Sequence, residues 1–114
     1  MKNLKFVIIA LLAVIMSSVL SAQVNTNAVV KTETINVSGN CGMCKSRIEK
    51  AAKLEGVSKA TWNQDSHKLV VTYNSSKVNI DDIQKNIAAV GHDTDKFKAD
   101  AKVYDKLPSC CKYR

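Results

Sequence analysis

Apolar and polar positions change period several times along the chain, and each change marks an element. Thr34-Ile35-Asn36-Val37 alternates, as a half-buried strand does, until Ser38-Gly39-Asn40 breaks the pattern. From Cys44 the repeat lengthens to that of a helix. Cys44, Ile48, Ala51 and Ala52 share one stripe, Lys45, Glu49, Lys50 and Lys53 fall mostly outside it, and Gly56 is expected to end the helix as its C′ residue. Val57 to Trp62 and Lys68 to Tyr73 are rich in β-branched and aromatic residues and are joined by the polar stretch 63–67, which predicts a hairpin. A second helix is expected after Asn79, a good N-cap. Asp81 and Asp82 suit its positive end, and Ile80, Ile83, Ile87 and Val90 recur at spacings of three and four before Gly91. His92 to Ala99 fits a short edge strand, and residues 100–107 fit one or two helical turns ended by Pro108. The order strand, helix, strand, strand, helix, strand predicts an α+β fold of the split βαβ type: a four-stranded antiparallel sheet with both helices on one face.

The first 22 residues follow a different rule. Lys2 and Lys5 lead into the apolar run from Phe6 to Met16 and then the small residues 17–22, the order of a secretory signal peptide cleaved after Ala22. The run is short for a bilayer span, which needs about 20 residues, so stable membrane insertion after cleavage is not expected. What remains is enough for one core and not two. Residues 23–32 read as a flexible lead, 33–99 as the domain and 100–114 as a C-terminal extension. The formal charge of +7 falls to +5 without Lys2 and Lys5. That excess suits an acidic partner protein better than nucleic acid, because the basic residues are scattered and no dense tract interleaves with aromatics. The periplasm is the expected compartment, with secretion as the alternative.

All four cysteines, Cys41, Cys44, Cys110 and Cys111, lie in the exported part. Their spacing is poor for a scaffold: a bridge across Cys-x-x-Cys closes a tiny loop, and a vicinal pair makes a strained disulfide. Cys41 and Cys44 instead stand where the first strand gives way to the first helix. There, unpaired backbone N–H groups favour thiolate over thiol, and both sulfurs can close on one ion. Soft thiolates select soft ions, and two of them are too few for a structural Zn(II) site. Two other readings use the same pair: a thiol-disulfide oxidoreductase, and an interaction module whose metal is structural. Asn40 before Cys41 and the lack of a proline facing the pair speak against the first, and an isoleucine-rich core speaks against the second. An enzyme is therefore not expected.

Cys-x-x-Cys between the first strand and first helix, with Leu54-Glu55-Gly56-Val57 closing that helix and Gly91 closing the second, resembles the heavy-metal-associated domain of copper chaperones, mercury-binding periplasmic proteins and metal-pumping ATPases. The resemblance covers about residues 33–99. It implies a ferredoxin-like βαββαβ fold and a low-coordinate exposed site in which Cys41 and Cys44 hold Cu(I), or Hg(II), and pass it by ligand exchange to a membrane transporter or another acceptor. A metal-bridged dimer is compatible with such a site. One departure is visible: where the family usually carries a methionine two residues before the first cysteine, this chain has Gly39.

The resemblance also places His92 beside the metal loop, as a third ligand or a hydrogen-bond donor to a thiolate; the alternative is an exposed loop histidine. Lys45, Arg47, Lys50 and Lys53 either offset the charge of a bis-thiolate complex or form a solvated face with Glu49–Lys53 pairing. His67 is expected at the surface, and Trp62, Tyr73 and Phe97 in the core or on the sheet. Cys110 and Cys111 lie beyond the domain. If Val103, Tyr104 and Leu107 dock the tail, these sulfurs make a three- or four-sulfur site able to take Zn(II) or Cd(II) as well as Cu(I). Otherwise they form a separate relay, a redox pair or a free end.

Overall fold

A computed structural model describes residues 29–114, so the expected signal peptide and residues 23–28 of the lead lie outside the described residues. Three strands and two long helices alternate as β1 (Val30–Asn36), α1 (Gly42–Ala52), β2 (Val57–Trp62), β3 (Lys68–Asn74) and α2 (Ile80–Ala89). β1 starts ahead of the expected Glu33, because β3 pairs with it back to Val30, opposite Asn74. The sheet is antiparallel with β3 in the centre, which sets Leu69 between Ile35 and Trp62. Alternation turns Leu69, Val71 and Tyr73 to one face, and Ile48 and Ala52 of α1 with Ile83 and Ile87 of α2 cover it. Complete burial of each such aliphatic side chain contributes about 1.5–3 kcal/mol.

The helix ends explain how the loops are aimed. Asn79 caps α2, its side-chain oxygen accepting from the Asp82 N–H at 2.8 Å. At the far end the Gly91 N–H reaches the Ala88 carbonyl (3.0 Å) and the His92 N–H reaches that of Ile87 (3.3 Å), a Schellman closure with Gly91 at φ +110. Gly56 does not play the expected C′ role for α1, which stops at Ala52. Its φ of +97 serves the following turn, where the Val57 N–H bonds the Leu54 carbonyl at 3.0 Å and launches β2.

The expected fourth strand is reduced to one bridge, Val37 opposite Thr94, so the sheet has three strands among the described residues. Side chains bind backbone N–H groups on both sides of that bridge. Asp95 accepts from the Asn36 N–H (2.9 Å), Gln84 from the Lys96 N–H (3.1 Å) and Asp93 from the Ala99 N–H (2.7 Å), while Thr94 and Phe97 close a turn. Phe97, expected in strand or core, is half-buried in that turn.

Beyond it, α3 (Ala101–Asp105) and a short 3₁₀ turn (Ser109–Cys111) carry the tail back over the domain, and Tyr104, Leu107 and Cys111 join the core. Among the described residues, the buried members of that core run from Ile35 to Cys111. No helix among the described residues is long and apolar enough to cross a membrane.

Candidate metal centre

Cys41 is the N-cap residue of α1, with extended backbone (φ −131, ψ 176), and its carbonyl accepts the first helical bond from Lys45. Cys44 lies one turn on, fully buried. Their sulfurs stand 3.5 Å apart and all four cysteines are free thiols. Cys41 is partly exposed, so the pair has one sulfur at the surface and one in the core.

Trp62 supports the loop from below. Its indole N–H donates to the Val37 carbonyl at 3.0 Å, and a Cβ on Gly39 would come within 3.1 Å of both the indole ring and the Cys44 Cβ. Gly39, the departure noted in the sequence, is thus matched to a bulky ring at the end of β2: the indole occupies space that a side chain at 39 would need.

The tail brings both its sulfurs to the loop. Cys110 Sγ lies 3.0 Å and Cys111 Sγ 3.8 Å from Cys41 Sγ, and the two tail sulfurs are 4.0 Å apart. The ligand atoms of Cys41, Cys44 and Cys111 all lie within 4.8 Å of one another. Cys111 is fully buried, Cys110 is exposed, and the Met43 thioether approaches Cys110 at 3.9 Å. The thiols are unequal in acidity. Cys110 beside it, and then the Cys44 amide N–H at the helix start, lower the Cys41 thiol from 9.0 to about 6. The same contact pushes the Cys110 thiol up, and burial pushes that of Cys111 up. At neutral pH Cys41 is therefore the ready thiolate.

His92 is neither exposed nor in this sulfur group. It is fully buried, its Nδ1 donates to the Ser38 carbonyl at 2.8 Å, and Tyr113 stacks on it at 5.8 Å. Burial holds the imidazole pKa below the usual value, and Nε2 has no partner among the described residues. His67, in contrast, is exposed as expected, at φ +61, stacked on Trp62 at 5.7 Å.

Among the basic residues of α1, the expected Glu49–Lys53 pair does not form. Glu49 turns to accept the Trp62 N–H at 2.8 Å and pairs with Lys45 at 2.6 Å, while Lys53 reaches the Ser58 carbonyl. Sequence reasoning also missed the residues that hold the tail: Asn40, Asp93, Tyr113 and Arg114. The contacts Asn40–Lys112, Asp93–Tyr113 and Asp93–Arg114 each span 20 residues or more of chain, and no local pattern reveals them; the available signal was the placement of Asn40 next to Cys41 and of Tyr113 two residues after Cys111.

Fold and site together define a small α+β metal-binding domain with paired thiols at its strand-to-helix junction. The chain belongs to the heavy-metal-associated domain family, which matches residues 34–93. It is similar to the copper chaperone CopZ of Staphylococcus epidermidis, 36% identical over 60% of this chain and 96% of that protein. Among solved structures it is similar to oxidised MerP from Ralstonia metallidurans CH34 (31% identity, 58% of this chain and 94% of that one, TM-score 0.55). It is also similar to the N-terminal domain of the zinc(II) ATPase ZiaA (35% identity, 58% and 64%, TM-score 0.50). The curated relatives are carriers of metal, not enzymes. The tail cysteines fall outside the residues that match the family.

Proposed function

We propose that this protein is an exported carrier that binds one Cu(I) through Cys41 and Cys44 and hands it on by thiolate exchange. The observation that carries the reading is the pair of free sulfurs 3.5 Å apart at the start of α1, one buried and one at the surface. A soft d¹⁰ ion suits soft sulfur ligands, and the exposed Cys41 edge is where an incoming thiolate can bond before an old bond breaks. The copper chaperone relative supports copper as the ion; the zinc(II) ATPase neighbour supports zinc as a second ion. Export rests on residues 1–22, with the periplasm as the compartment. The acceptor is a metal-transporting membrane protein or another thiol protein, and the groove lined by Met43, Arg47, Lys50 and Val90 beside the loop gives it a basic surface to meet.

The test is transfer. Reduced residues 23–114 loaded with Cu(I) are mixed under nitrogen with rising concentrations of a dithiol acceptor. Exchange predicts a rate that climbs with acceptor concentration, and loss of loading in Cys41→Ser and Cys44→Ser. A rate independent of acceptor, or loading unchanged in both variants, overturns the reading.

A further inference from the structure

We propose that Cys111 is a third metal ligand and that residues 107–114 form a strap which closes the site, leaving Cys110 as its exposed entry and exit sulfur. The inference rests on the reading that Cys41 and Cys44 bind a soft ion, and adds a ligand and a gate from a segment beyond the family match.

Sulfur spacing supports it. Around a metal–sulfur bond of about 2.3 Å, thiolates lie about 4.0 Å apart in a trigonal plane and about 3.8 Å apart in a tetrahedron. Within the trio the separations are 3.5 Å for Cys41–Cys44 and 3.8 Å for Cys41–Cys111, with Cys44 and Cys111 within 4.8 Å, so an ion enters with sulfur shifts of less than about 1 Å. The Cys41–Cys110 contact, at 3.0 Å, is the one that must open furthest. Three sulfurs, two of them in the core, make a trigonal set for Cu(I); Cys110 lies outside that trio and would complete a tetrahedron for Cd(II) or Zn(II) only by moving toward Cys44. The Cys111 thiol releases its proton to solvent as its sulfur bonds the ion, and takes one up when the ion leaves.

The strap is held by specific contacts rather than by chance proximity. Tyr113 Oη donates to the Gly91 carbonyl at 2.7 Å and accepts from the Asp93 N–H at 2.9 Å. Arg114 pairs with Asp93 at 2.7 Å, and the Asn40 side chain, next to Cys41, donates to the Lys112 carbonyl at 2.8 Å. Leu107 packs where Gly91 has no Cβ, and Tyr113 covers His92. Buried His92 thereby acts as the floor for the strap.

The experiment is X-ray absorption at the copper edge of anaerobically loaded residues 23–114, with chelator competition, for the wild type and for Cys111→Ser, Cys110→Ser and Tyr113→Phe, each checked for fold by circular dichroism. Three sulfurs per Cu(I) are expected in the wild type and in Cys110→Ser, and two in Cys111→Ser. Tyr113→Phe keeps every sulfur but loses two hydrogen bonds of the strap, and is expected to retain three sulfurs while losing copper to the chelator about tenfold faster. Two sulfurs in the wild type, unchanged in Cys111→Ser, overturn the inference and leave the Cys41–Cys44 carrier intact. No copper in any chain overturns both.

Discussion

Gly91→Ala tests whether the tail docks as described, because that glycine serves two purposes at once. At φ +110 any Cβ is strained, which costs roughly 1 kcal/mol. A Cβ there would also lie 2.8 Å from Leu107 Cδ2 and 3.0 Å from its Cγ. Leu107 is only 6% exposed and has little room to retreat. Either the core strains by about 1–3 kcal/mol or Leu107 leaves it at a cost of about 1.5–3 kcal/mol. The substitution should therefore cost about 3 kcal/mol in residues 23–114, and only about 1 kcal/mol in a chain ending at Lys106, where no Leu107 stands in the way. Urea unfolding of the reduced proteins, followed by Trp62 fluorescence, gives the four stabilities of this cycle. Equal costs in the two backgrounds, within about 0.5 kcal/mol, refute the docking of the tail on Gly91.

Gly39→Ala is expected to destabilise by about 1–3 kcal/mol, since its Cβ meets the buried Trp62 ring and the Cys44 Cβ at 3.1 Å; urea unfolding reads this, and an unchanged midpoint contradicts the packing. Removing the α2 cap by Asn79→Ala should cost about 1 kcal/mol by the same assay, and a cost near zero would mean the bond to Asp82 contributes nothing. Cys41 is lowered from 9.0 to about 6, so its stabilising effect is full above 9.0 and fades as the pH falls through 6. Alkylation of Cys41 by iodoacetamide should accordingly show a midpoint at about 6 that rises in Cys110→Ser; a midpoint unmoved by that substitution contradicts the Cys110 contact.

Local periodicity made β2, β3 and α2 legible, because their buried faces repeat within a few residues: Leu69, Val71 and Tyr73 at every second position, Ile83 and Ile87 at every fourth. The pair Cys41 and Cys44 was legible for the same reason, since a loop and a helix start are both local. What failed depended on long-range partners. The fourth strand reads as an edge strand in isolation, but Asp93, Asp95 and Gln84 bind backbone N–H groups around it and the chain turns between Thr94 and Phe97. His92 reads as a loop residue, yet Tyr113, far along the chain, stacks over it. For the tail, the sequence offered two thiols and the apolar residues Tyr104 and Leu107. Only the fold shows that Gly91, Asp93 and Asn40 hold it against the metal loop.

The most direct test of the central claim is native mass spectrometry of reduced residues 23–114 given Cu(I) and, separately, Zn(II) without oxygen, beside a Cys41→Ser/Cys44→Ser variant. One Cu(I) per chain in the wild type and none in the variant is the result expected of a carrier built on Cys41 and Cys44. Equal uptake by both proteins, or none by the wild type, contradicts it.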